Sequence, residues 1–426
     1  MIDPLIGVRA VHIAATAITV GAIFFRYLIT APILPAAMLY RRIFERRLTE
    51  IVGCNLAIAV VSGVAWLLLV AANIGGEPIK DAFADGTLSS VLTDTRFGQV
   101  SIIRLGIAIL LAASLWSPAT GGWRVCLSVL LAASLIGAMA WPGHAGATPG
   151  WAGRVYLTAD VVHLIAASAW LGGLLPFAAL LGLARSSANE SWAAFSVAAT
   201  YRFSVLGILS VGALLTTGLM ATWNLVGSVQ SLIGTDYGLL LLVKIALFAG
   251  MIALASINRL QHTPKLPAVD ALLNLRRNSL FEIGLGLCIV FIVGALGMMP
   301  PVSHSHMHAT DPTVVIPPDA AFTHIHGEKA MAEVLILPGR VGPVTVRLLL
   351  LREDLSPLDA KGVDLLINKP GTVSERITRQ AFRLSDGKWA VNDLTISQPG
   401  IWNVQIVIQI SDDVSVVLDE RIAIEP

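Results

Sequence analysis

The sequence predicts an α-helical integral membrane bundle of eight transmembrane helices, followed by a small all-β sandwich domain. Three observations carry that reading. The 426-residue chain is 55% hydrophobic but only 13% charged, against about a quarter charged in ordinary soluble domains. Its apolar residues are gathered into segments near the ~20 residues that a membrane span requires. The apolar character then stops at Pro300-Pro301, and the remainder alternates strand-like runs with turn residues.

In chain order the spans are expected at 5–33, 51–73, 98–116, 123–142, 155–182, 203–226, 237–258 and 279–299. These segments are too long and too uniformly apolar for barrel strands, so closed helices must satisfy the backbone within lipid. The start, Met1-Ile-Asp-Pro-Leu5, has an acid in place of a basic n-region. The apolar run behind it has no small-residue cleavage pattern and reads as a retained first span.

Basic residues sort by side. Arg41, Arg42, Arg46, Arg47, Arg124, Arg185, Arg202, Arg259, Lys265, Arg276 and Arg277 fall in alternate loops. The opposite loops hold only Lys80, Arg96 and Arg154, beside Glu77, Asp81, Asp85 and Asp94. The positive-inside rule therefore puts the N-terminus and the C-terminal domain outside the cytoplasm. The expected organisation is 1–300 membrane domain, 301–320 His-rich linker and 321–426 extracytoplasmic β-sandwich. In the last part 344–352, 363–368 and 402–410 read as strands. Pro338-Gly, Gly342-Pro, Lys369-Pro-Gly371, Asp386-Gly and Pro399-Gly mark turns between them.

Ionisable side chains inside spans are costly and mark candidate functional positions. His12, Arg104, Asp160, His163 and Lys244 come from four spans. All lie roughly 8–12 Å below the same boundary at 1.5 Å per residue. Asp160 and His163 are three apart and share a helix face, so the carboxylate can fix the imidazole or join it as a ligand. Trp170-Leu-Gly172-Gly173 beyond them offers small residues for close helix approach. An alternative is that Arg104, Asp160 and Lys244 form an ion-pair network that locks the bundle. Glu282 reads as a structural acid with Arg276 and Arg277 in reach.

Metal-type residues collect toward the outer side. They are Met139 and His144 after span 4, Met298 and Met299 after span 8, and His304, His306 and His308 in the linker. His324 and His326 are two apart in a strand and point to one face. His262 is the one histidine on the inner side. Imidazole suits copper, zinc and nickel, and thioether selects Cu(I), so a His and Met set without Cys leans toward copper. Cys54, Cys126 and Cys288 all lie in apolar segments and read as small buried residues, not a relay.

The chain resembles the copper resistance D (CopD) family. The motifs are Arg9-Ala-Val-His12, Gly143-His-Ala145, Asp160-Val-Val-His163, Trp170-Leu-Gly-Gly-Leu174, Tyr201-Arg-Phe-Ser204, Thr217-Gly218, Tyr237 to Lys244, Asn258-Arg259, Leu275-Arg-Arg277 and Glu282. The tail resembles the extracellular β-domain fused to some members, through Leu337-Pro-Gly-Arg-Val-Gly-Pro343 and Gly400-Ile-Trp402. It departs from that pattern at Val344 and at Asp354-Leu-Ser-Pro357.

The resemblance implies a multi-pass bacterial cytoplasmic (inner) membrane protein that moves or delivers copper and is not an enzyme. The outer histidines and methionines would capture the ion, and His12, Asp160 and His163 would hold it, with Arg104 and Lys244 as electrostatic support. A periplasmic copper chaperone is the candidate protein partner, and no nucleic acid is expected. The alternative is a haem b electron-transfer or oxidase protein, with His12 and His163 as axial ligands.

Overall fold

The computed structural model describes residues 4–33, 41–75, 87–116, 122–142, 150–186, 190–226, 228–299, 317, 319–327, 330–352, 357–369, 376–411 and 414–425. The chain divides into two compact units, Met1–Met307 and His308–Pro426.

The first unit contains eight helices long and apolar enough to cross a membrane. Spans 1 to 4 are Pro4–Thr30, Arg42–Asn73, Arg96–Trp116 and Gly122–Ala140, and spans 5 to 8 are Gly153–Ala184, Trp192–Val226, Asp236–Lys265 and Val269–Leu296. All eight expected spans are present. Spans 2, 6, 7 and 8 run one to three turns further than hydropathy alone indicates, always at the end that bears the basic residues. Hydropathy falls there because Arg and Lys enter, but these residues are good helix formers and the backbone ladder continues through them.

The surface of this unit inverts the soluble pattern. Leu219 and Trp223 on span 6 are 74% and 77% exposed, which an aqueous protein would not tolerate in bulk and a lipid-facing helix requires. Cys54, Cys126 and Cys288 are also exposed, which corrects the expectation that they are buried. Lipid is as apolar as a protein interior, so a small thiol gains nothing by turning inward.

Spans 1 and 5 form the centre, each with 67% of its most apolar window buried. They cross where Gly21 meets Gly172 and Gly173. A Cβ added to Gly21 would fall on the backbone of Ser168, Gly172 and Gly173, and one added to Gly172 would fall on Ala17. Span 5 changes to a π-helical turn at Ser168–Gly172, a feature frequent at functional positions. Toward the basic end an aromatic cluster of Phe25, Phe44, Phe177, Trp192, Phe195 and Phe203 ties spans 1, 2, 5 and 6 together. Its rings meet edge-on or tilted, with Phe177 and Phe203 centroids 4.8 Å apart.

The second unit is all antiparallel β. Its strands are β1 Ala321–His326, β2 Met331–Leu337, β3 Gly342–Leu351, β4 Gly362–Asn368 and β5 Arg376–Gln380, then β6 Phe382–Arg383, β7 Trp389–Ile396, β8 Gly400–Ser411 and β9 Val414–Ile424. One sheet runs β1-β2-β3-β7-β6 and the other β5-β4-β8-β9. Alternation drives the assembly. Val346, Leu348 and Leu350 of β3 face Val363, Leu365 and Ile367 of β4 and Trp402, Val404 and Ile406 of β8 in one core. The three expected strands are β3, β4 and β8. Gly342, Gly387 and Gly400 adopt positive φ at three of the expected turns, where a Cβ would be strained.

Candidate functional site: a polar cavity at one end of the bundle

A cavity of about 670 Å³ is hollowed into the end of the bundle opposite the basic loops. Every span contributes from that same end. Leu5 and Arg9 come from span 1, Trp66, Val70 and Asn73 from span 2, Val100, Ser101 and Arg104 from span 3, and Met139 from span 4. Tyr156, Asp160 and His163 come from span 5, Thr217, Met220 and Asn224 from span 6, Tyr237 and Lys244 from span 7, and Val293 and Leu296 from span 8, with Met298 just beyond. Up-and-down topology produces this convergence, since alternate helices begin and end at one face.

His163 stands ten residues into span 5, roughly 15 Å from its start at 1.5 Å per residue. Its Nδ1 lies 2.9 Å from Thr217 Oγ1. The Thr217 hydroxyl is committed as a donor to Ala213 O at 2.6 Å, so the imidazole Nδ1–H must donate to Thr217 and Nε2 keeps its lone pair. Among the described residues, that nitrogen has no hydrogen-bond partner. An orienting bond on one ring nitrogen and a free lone pair on the other is the arrangement of a ligating histidine. Asp160, one turn before, and Lys244 of span 7 share the cavity wall.

His12 is placed differently. Its Nδ1–H donates to Ala59 O at 2.8 Å, and Arg104 Nη2 donates to its Nε2 at 2.7 Å. Both ring nitrogens are occupied. Gly63 makes room for the ring, since a Cβ there would stand 2.9 Å from His12 Cε1, and Trp66 packs on it with centroids 5.5 Å apart. His12 borders a separate, less polar pocket of about 290 Å³, and Arg104 borders both spaces. Arg104 also reaches Leu135 O at 3.3 Å. An axial haem bond from His12 would require breaking the Arg104 contact.

Of the remaining sequence candidates, Met139 and Met298 line the cavity, whereas Met299 packs against the apolar group of Val226, Tyr237, Leu241 and Leu296. His144, His304, His306 and His308 lie outside the described residues. In β1, His324 pairs across the ladder with Glu333 and His326 with Met331, and His324 Nδ1 is 3.6 Å from Glu333 Oε1. Among the described residues, no three His, Cys, Asp or Glu side chains come together as a metal-holding group. The cavity wall also carries the thioethers of Met139, Met220 and Met298.

Met220 was not singled out from the sequence, and Arg9 entered only through the Arg9-Ala-Val-His12 motif, with no site role assigned. Met220 is one methionine in a long apolar helix, but it lies three residues after Thr217 on the same face. Arg9 stands three residues before His12, a spacing that signals a shared face.

The basic end holds a smaller pocket of about 190 Å³, lined by Thr200, Ser204, Asn258, Arg259 and Glu282 among others. Glu282 is 2% exposed and accepts from Asn258 Nδ2 at 2.8 Å. Asn278 donates to Asn258 Oδ1 at 2.9 Å. The Asn258 amide, not Arg276 or Arg277, is its hydrogen-bond partner among the described residues, and Asn278 holds that amide in turn.

The fold and cavity define a multi-pass membrane protein with a polar cavity inside the bundle, followed in the chain by a β-sandwich. The chain belongs to the copper resistance protein D family. The family model for the copper resistance protein D-like N-terminal domain matches residues 1–154, and that for copper resistance protein D matches 197–296.

Curated relatives include copper resistance protein D of Pseudomonas syringae pv. tomato, 27% identical over 265 residues, 58% of this chain and 82% of the relative. Copper transport protein CutJ of Bacillus subtilis is 26% identical over 352 residues, 79% of this chain and 60% of the relative. Inner membrane protein YebZ of Escherichia coli is 28% identical over 232 residues, 54% of this chain and 77% of the relative. Two of these names speak of copper and the third of the inner membrane; haem appears in none. No solved structure matches the chain.

Proposed function

We propose that the protein carries copper across, or delivers it into, the bacterial cytoplasmic membrane, with the cavity end outward. The observation that carries this reading is His163, oriented by Thr217 with Nε2 unbonded, in a chamber whose walls also supply Asp160 and the thioethers of Met139, Met220 and Met298. Imidazole and thioether together form a copper-type donor set. The excess of basic residues at the other end supports the orientation. The protein acts as a carrier and not as an enzyme.

Capture begins on the outer side at His144, His304, His306 and His308, and in the β-domain at His324 and His326. There Glu333 stands opposite His324 in the ladder, its Oε1 3.6 Å from His324 Nδ1. A periplasmic copper chaperone docking on that domain is the partner this arrangement suits. The cavity passes the ion to His163 and Asp160, with Lys244 tuning the site. His12 positions Arg104. The Glu282 pocket at the basic end supports a second polar station. Along span 6 it is separated from the cavity by the six-residue step from Val211 to Thr217, roughly 9 Å of helix.

Purified protein in liposomes loaded with a copper-sensitive dye tests the reading. Copper should enter at a rate proportional to protein, and liposomes that neither admit nor retain copper above protein-free controls would sink it. Thr217→Val removes the bond that orients His163 and should lower copper affinity about 10–100-fold, the usual cost of losing a ligand's outer partner. Equilibrium dialysis with metal analysis measures it. The paired substitution His324→Ala and His326→Ala should leave the cavity site intact and remove copper only from the β-domain.

A further inference from the structure

The cavity is much larger than a metal ion needs. Ligand atoms close around a first-row ion at roughly 2.0–2.3 Å, whereas about 670 Å³ lies within the ~300–1,000 Å³ range of small-molecule sites. Its charge is also wrong for a bare cation. Among the described residues, the charged side chains on the wall are Arg9, Arg104 and Lys244 against Asp160 alone. That is three positive groups to one negative.

Arg104 is engaged with His12, and Lys244 shares the wall with the carboxylate of Asp160. Arg9 has its guanidinium over the Trp66 ring at 5.5 Å, and its Nε is buried without a hydrogen-bond partner among the described residues. A fixed cation with a spare donor, set in a chamber of small-molecule size, is a carboxylate-binding group. A free copper ion entering the chamber would meet net repulsion, while a chelate carrying negative charge would meet attraction.

We propose that copper enters this cavity as a complex with a small polycarboxylate chelator, whose carboxylates are held by Arg9 and by the N–H donors of Arg104 not given to His12 and Leu135. This deepens the proposed function and rests on it. His163 and the three cavity methionines then stand where they can take over the metal as the carboxylates stay on the arginines.

The test uses the full chain in phosphatidylcholine nanodiscs, whose headgroups carry no net charge. Calorimetric titrations with citrate, copper(II) citrate and trimethyl citrate are compared. Citrate and its copper complex should bind, and the uncharged ester should not. Arg9→Gln should weaken citrate at least tenfold, and Arg9→Lys should recover part of that loss. Equal binding of ester and acid, or no binding of citrate, overturns the proposal with the wild-type protein alone, whatever the fate of the variants.

The liposome measurement separates this inference from the one beneath it. Copper moving from its chloride as fast as from citrate leaves copper transport standing and removes the chelate. Citrate binding with no copper movement in any form removes the copper function itself.

Discussion

Replacing His163 with alanine should abolish copper movement, with a loss of more than about a hundredfold, exceeding the 10–100-fold expected from an outer partner alone. The reason is local. Among the described residues His163 Nε2 has no hydrogen-bond partner, and Thr217 holds the ring by its other nitrogen. His12→Ala should behave differently, although its residue type and depth are the same. It frees Arg104 from the 2.7 Å bond to Nε2 and leaves Ala59 O without its imidazole donor. Loss of a buried hydrogen-bond partner costs about 1–3 kcal/mol, so the variant should melt earlier while retaining measurable transport. Copper flux in liposomes and thermal unfolding in detergent distinguish the two. Equal loss of flux with unchanged stability in His12→Ala would instead make both histidines ligands.

The second large effect is at the crossing of spans 1 and 5. Gly21→Val should prevent the bundle from assembling, at a cost above about 3 kcal/mol, beyond the usual range for overpacking. A valine there places carbon on the Gly172, Gly173 and Ser168 backbone, and no rotamer moves a Cβ. Gly172→Ala meets Ala17 from the other side and should fail similarly. By contrast Gly106→Ala and Gly212→Ala, where an added Cβ meets nothing within 4 Å, should leave the melting temperature within a degree or two. Monodisperse elution of detergent-solubilised protein and its melting curve provide the measurement, and a well-folded Gly21→Val would show that the two spans can separate without loss.

The spans were legible because lipid imposes a simple demand of about twenty apolar residues, and the chain meets it eight times over. Strand runs such as Gly342–Leu351 were legible for a similar reason, since period-two alternation survives in the sequence whatever the partners. The exceptions are informative. Helix ends at the basic side were missed because helices continue past the point where hydropathy falls. The three cysteines were misplaced because burial rules learned from water do not apply at a lipid surface.

By itself the sequence determined the membrane architecture, the appended β-domain and the family resemblance. It also determined that His12, Arg104, Asp160, His163 and Lys244 stand at similar depth, because depth follows from position along a helix. Which of them face one another depends on helix rotation and on neighbours far away in the chain. Only the tertiary structure decided that His12 is bonded to Arg104, 92 residues away. Likewise it set His163 on Thr217, 54 residues away, and brought Arg9, Met139, Met220 and Met298 into one chamber. A hydrogen bond has one geometry, and packing alone chose which of the two histidines has both ring nitrogens bonded and which, among the described residues, has Nε2 without a partner.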